Sequence, residues 1–185
     1  MTFRTRLLVI FTLAVVASVG LVELLVSNST RQAFEGLETQ RVDALVAQFQ
    51  KEFDRRKEEI VLAVNGIARS EMLSTIATSA DFSSYYDVAP DLASAHGLKL
   101  LELVAGDGTI ISSAEWPARF GYSEEWLTHA TDWHSLGAFL KREELADGVA
   151  LSLVAVSTVE VGDRRLYVVG GQELDREFLS TLVLP

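Results

Sequence analysis

Leu7 to Val26 reads LLVIFTLAVVASVGLVELLV, twenty residues whose only ionisable side chain is Glu23, near the far end. At about 1.5 Å per residue this run reaches roughly 30 Å, the thickness of a bilayer's hydrocarbon core. A buried helix of a water-soluble domain rarely continues so far without a polar face. The run predicts a membrane-spanning helix, and the rest of the chain is then organised around one tethered end. Arg4 and Arg6 precede it, and no Lys or Arg follows until Arg31. The positive-inside rule puts 1–6 in the cytoplasm, 7–26 across the inner membrane and the chain from Ser27 outside. A cleaved signal peptide has a shorter apolar region, about 7–15 residues, ending at small residues. Here Leu21 to Val26 turns apolar again after Ala17, Ser18 and Gly20, which favours an uncleaved, single-pass anchor.

The roughly 155 residues beyond the anchor suffice for one domain with its own core and a helical stalk. The chain carries a formal net charge of -10. With Arg4 and Arg6 on the other side of the membrane, the exported part is more acidic still. That argues against nucleic acid or anionic lipid as its partner. There is no cysteine, hence no disulfide framework, thiolate catalyst or zinc–thiolate site. No phosphate-binding loop, H-E-x-x-H, nucleophile elbow or dinucleotide fingerprint occurs, so the sequence predicts no enzyme activity and no cofactor. His129 and His134 would stand about 140° apart on one helix, not on one face, which argues against a metal site.

From Arg31 to Thr78 the periodicity is helical. Val42, Leu45, Phe49, Phe53, Ile60, Val64 and Ile67 recur at spacings of three, four and seven, with charges of both signs between them. Unbroken, such a helix would span about 70 Å. Its apolar stripe has to meet either the domain that follows or the same helix of a second copy, which makes a homodimer the expected assembly. Ser79 to Ala95 reads as a connection with a helical turn from Asp91, stopped at Gly97. The period then changes to that of strands: 98–104, a turn at Ala105-Gly106-Asp107-Gly108, and 109–113. Further strands are expected near 138–144, 150–161 and 165–172, with Val161-Gly162-Asp163-Arg164 as a turn. The 150–161 strand reads as the central one. An amphipathic helix, 173–182, closes the chain. The predicted fold is α/β (α+β): a transmembrane helix, a long amphipathic helix, then a five-stranded antiparallel sheet flanked by helices.

The segment 114–136 interrupts the strands and holds all three tryptophans, Trp116, Trp126 and Trp133. Arg119 lies there with Trp116 and Tyr122 three residues to either side. A guanidinium fork suits a carboxylate, and aromatic faces suit an apolar body or a cation. The candidate ligand-binding residues are Trp116, Arg119, Tyr122 and Trp126, facing a last strand that bears Tyr167. The competing reading is that Arg119 pairs with Glu115, Glu124 or Glu125 as a structural link.

Three stretches carry a family resemblance. Leu103 to Ser113 resembles a recurring D-x-D-G-x-I-x-x-S turn, with Ala105 where an Asp is common. Trp116 to Tyr122 resembles the small, basic and glycine segment that follows that turn. Gly170 to Leu179 resembles the last strand and exit helix. Together they make Arg31 to Leu182 similar to the PAS-like extracytoplasmic sensor domains called Cache or PDC domains. These occur in bacterial transmembrane sensor histidine kinases, chemoreceptors and cyclic-dinucleotide enzymes. The resemblance implies a stalk helix over 27–79 and a sensor domain over 80–185. It implies the periplasmic input region of a longer receptor, most simply a two-component sensor histidine kinase. Such a region would bind a small molecule, for instance a carboxylate or an amino acid, and pass the event through the long helix. The alternatives are a ligand-free structural or dimerisation domain, and the input domain of a chemoreceptor or cyclic-dinucleotide enzyme.

Overall fold

The computed structural model describes residues 42–129, 132–145 and 148–182. The anchor expected at 7–26 lies outside the described residues, and no helix among the described residues is by itself long and apolar enough to cross a membrane. The chain divides into two compact units, 1–48 and 49–185. Of the first, the described part is the opening of helix α1 (Val42–Ala68), where Val42, Leu45 and Val46 are exposed.

The second unit is built on an antiparallel sheet of β1 (Leu100–Ala105), β2 (Ile110–Ser113), β3 (Ala138–Leu145), β4 (Gly148–Val161) and β5 (Arg164–Glu173), in the order β2-β1-β5-β4-β3. The five expected strands are all present, and every neighbouring pair is antiparallel. One expectation changes: β5, not β4, is central. Gly170 and Gly171 make β5 look less apolar in sequence, yet both belong to its buried run. A Cβ on Gly170 would stand 2.6 Å from Val64 Cγ2, and one on Gly171 would stand 2.3 Å from the Leu153 carbonyl oxygen. Only glycine lets α1 and β4 come this close.

Side chains alternate along each strand, so the sheet has two different faces. On one, Leu101, Leu103, Leu153, Leu166 and Val168 meet Ile60, Val64 and Ile67 of α1 and Leu73 and Ile76 of α2 (Glu71–Thr78). The 60, 64, 67 spacing puts those three side chains on one stripe of α1. The continuous helix expected to Thr78 breaks at Arg69 and Ser70, where the path bends by 60°. Ser70 caps the new helix, accepting from the Leu73 N–H at 3.4 Å. Leu73 lies six residues after Ile67, off its stripe on a straight helix, and the bend is what lets α2 lay Leu73 and Ile76 on the same core. Beside them runs α3 (Val88–Ala95), tied to β2 by Ser112, whose hydroxyl donates to the Tyr86 carbonyl and accepts from the Ala89 N–H.

The other face carries Leu100, Val104, Ile110, Val154, Tyr167 and Val169. It is covered by the 114–137 segment, which includes α4 (Glu125–His129) and contributes Leu127 and Trp133. The chain closes with α5 (Arg176–Leu182), whose Phe178 joins the helix-side core.

Candidate functional site

The cover is positioned by backbone bonds to the β1–β2 hairpin. Pro117 opens a single 3-10 turn ending at Arg119. Gly121, at φ +82°, then reverses the chain. Its N–H donates to the Ile110 carbonyl at 2.9 Å, Ile110 N–H donates to the Tyr122 carbonyl at 2.8 Å, and Glu124 N–H donates to the Gly108 carbonyl at 2.7 Å. These three bonds hold Arg119 and Glu124 over the sheet.

Beneath them lie charged side chains from the strands. Arg119 donates through Nη1 to Glu102 Oε1 on β1 at 3.2 Å, and through Nη2 to Glu124 Oε1. Lys141 on β3 sits 2.6 Å from Glu143 and 3.9 Å from Glu124. Ser113 on β2 donates to Glu102 Oε1 at 3.2 Å, and its oxygen accepts from the Trp116 N–H. The side chains of Arg119 and Glu102 are only 13% and 15% exposed. Three carboxylates and two cations thus share a partly desolvated space, and fully ionised the group carries one negative charge too many.

The electrostatics follow from that count. Burial pushes the Glu102 carboxyl up to about 7; Arg119 and Lys141 pull against the rise, and Glu124 and Glu143 add to it. Glu143 is also raised, by burial first, with Lys141 opposing. Burial works against the Arg119 charge, but Glu102, Glu124 and Glu143 together outweigh it and raise its pKa further.

A cavity of about 20 Å³ lies among Glu102, Ser113, Trp116, Arg119, Glu143 and Val169. It has room for about one water molecule. Two larger spaces open to solvent elsewhere. A groove of about 690 Å³ lies between the β1–β2 and β4–β5 turns, and a trough of about 520 Å³ lies between α1 and 136–138. In the groove the cations are already engaged, Arg164 with the Ser79 carbonyl and Arg165 with Glu160. The buried cluster is therefore the stronger candidate despite its smaller space.

Of the residues singled out in sequence, Trp116 and Arg119 meet at this cavity. Trp126 stands beside it, edge-on to Phe139 at 6.1 Å and with Lys141 Nζ 4.6 Å above its ring. Tyr167 is buried further along, edge-on to Trp133 at 5.8 Å. Tyr122 is 64% exposed and does not line the cavity. Glu102, Ser113, Lys141 and Glu143 were missed by sequence reasoning, which searched the insertion and not the strands it covers. The available signal was Glu102 itself, one carboxylate inside the apolar run Leu100 to Val104.

No protein-family model matches the chain, and no curated protein matches it in sequence. Its fold is PAS-like: a five-stranded antiparallel sheet with a long helix before it. Among solved structures it is similar to the periplasmic domain of Vibrio cholerae LuxQ, with a TM-score of 0.53 and 16% identity over 74% of this chain. The match spans 65% of that structure. At this identity the likeness is one of fold.

Proposed function

We propose that this chain is the extracytoplasmic sensory input region of a membrane-bound receptor, most simply a sensor histidine kinase of the Cache type. In this reading Leu7 to Val26 is the anchor. The observation that carries it is the Arg119 cluster: a part-buried ionic site between a PAS-like sheet and the segment that covers it. The fold's likeness to a periplasmic domain supports the location. A small carboxylate would compete with Glu102 and Glu124 for the Arg119 fork, releasing the cover. The signal passes as a change in how the sheet holds α1, whose buried stripe meets β5 at Gly170. Ligand binding does this only through its difference in affinity for the two cover positions. Val42, Leu45 and Phe49 stay exposed on α1, and a second copy's α1 is their proposed partner.

A second reading has its own observation. The cavity of about 20 Å³ admits no organic acid unless the cover moves, which favours a ligand-free structural domain. A thermal-shift screen of amino and organic acids separates the two, using the full chain in detergent. A sensor gives a hit in wild type that weakens at least about tenfold in Arg119→Lys, which keeps the charge but loses the fork. A hit that is equally strong in both removes Arg119 from the site. Silence across every class supports the structural reading.

A further inference from the structure

We propose that the Glu102, Arg119, Glu124, Lys141, Glu143 cluster is a proton-binding site: as the surroundings acidify it takes up one proton, on Glu102 foremost, and that proton latches the cover to the sheet.

The charges divide unevenly across the seam. The sheet supplies Glu102, Lys141 and Glu143, a net charge of one negative, while the cover supplies Arg119 and Glu124, which cancel. Pairing Arg119 with Glu124 and Lys141 with Glu143 leaves Glu102 as the surplus carboxylate. Holding an unbalanced charge out of water is costly, and the site has two ways to relieve it. It can bind a proton, or it can part along the seam and admit water. Protonated Glu102 still accepts from Arg119 and Ser113 while carrying no charge. The outside pH therefore decides which route is taken. The raised position of the Glu102 carboxyl, about 7, is consistent with this.

The other ionisable groups near the site do not supply the balance. Glu115 and Glu144 line the same cavity but are exposed, and both are acidic. Facing Glu102 from β2 and β5 are Ser113 and Val169, neither of which titrates. His129 on α4 is exposed, and its ring contacts Thr128 and the Glu125 carbonyl, not the cluster.

As a signal the proton rests on the sensory reading above; as a ligand of this site it does not. All three tryptophans lie in the cover, so intrinsic fluorescence reads its position directly. The experiment is a fluorescence titration of the full chain in detergent from pH 5 to 9. Wild type should show one transition near pH 7, shifting to longer wavelength as the tryptophans meet water on the alkaline side. Glu102→Gln, a neutral stand-in for the protonated acid, should stay in the acid-side form throughout. Glu143→Gln removes a like charge and should lower the midpoint by at least about half a unit. That variant tests the proposal even if the first does not fold. His129→Gln and His134→Gln should leave the midpoint where it is. A flat wild-type titration, or a transition that survives Glu102→Gln and disappears in a histidine variant, overturns the proton site. A flat titration alongside an organic-acid hit would still leave the sensory reading standing.

Discussion

On the helix side of the sheet, Leu101, Leu103, Leu153 and Val168 meet Ile60, Val64 and Ile67 in a cluster that is apolar throughout. On the opposite face, Glu102 alternates with Leu101 and Leu103 on β1, and Lys141 and Glu143 of β3 face the cover. The first face is held by burial of apolar area, which has no direction and no pH dependence near neutrality. The second is held partly by a balance of charge that one proton alters. A sheet of this kind has a fixed side and an adjustable side, and the long helix is docked on the fixed one.

The largest expected effect breaks the fixed side. Ile67→Ala should cost about 3–4 kcal/mol by urea unfolding, equally at pH 5.5 and pH 8, since it removes a fully buried side chain from an apolar cluster. A cost that varied with pH would contradict the contrast between the faces. On the adjustable side, Arg119→Ala should cost about 3 kcal/mol at pH 8, because it leaves Glu102 of the sheet and Glu124 of the cover without their shared cation at the seam. At pH 5.5 the cost should shrink, since Glu102 is then neutral.

Wild type should itself show the asymmetry. The folded-state value for Glu102, about 7, lies above its ordinary 4.5, so the folded chain holds this proton more tightly than the unfolded one. The stability it contributes is fully present below about 4.5 and is lost as pH rises through about 7. The fall should be on the order of 2 kcal/mol and absent in Glu102→Gln. Stability that rises across this window would refute the assignment.

Gly170→Ala comes next, at about 1–2 kcal/mol, because the new methyl collides with Val64 Cγ2. Adding Val64→Ala should recover part of the loss in a double-mutant cycle, and simple additivity would show that the two positions do not share that space. Smallest is Lys99→Ala. Lys99 bridges Asp175 at 2.8 Å and Glu177 at 2.7 Å, next to the first turn of α5. The pairs are exposed, so the change should stay under about 1 kcal/mol and vanish in high salt.

Strand alternation and the Gly106–Gly108 turn made the sheet readable from sequence, because each depends on neighbours in the chain. The break at Ser70 left a trace in the spacing: Ile67 to Leu73 is six residues, about 120° out of phase on one helix, although helix-forming residues continue on both sides. The central place of β5 was hidden by Gly170 and Gly171, whose value lies in what approaches them. The site was half legible. The cover announced itself through Trp116 and Arg119. Glu102, Lys141 and Glu143 join it only through strand pairing and sheet order, which involve residues far apart in the chain.

The lacing of Gly121 and Tyr122 onto Ile110 has a consequence for assembly. β2 has only four residues, and Ile110 at its start already exchanges both backbone bonds with the cover. Among the described residues β3 is then the one long margin of the sheet with spare donors and acceptors. Edge-to-edge growth needs two such margins on every copy. With one, addition of a second sheet uses up the capacity for a third. Strand-to-strand association of these domains through β3 alone would end at a pair.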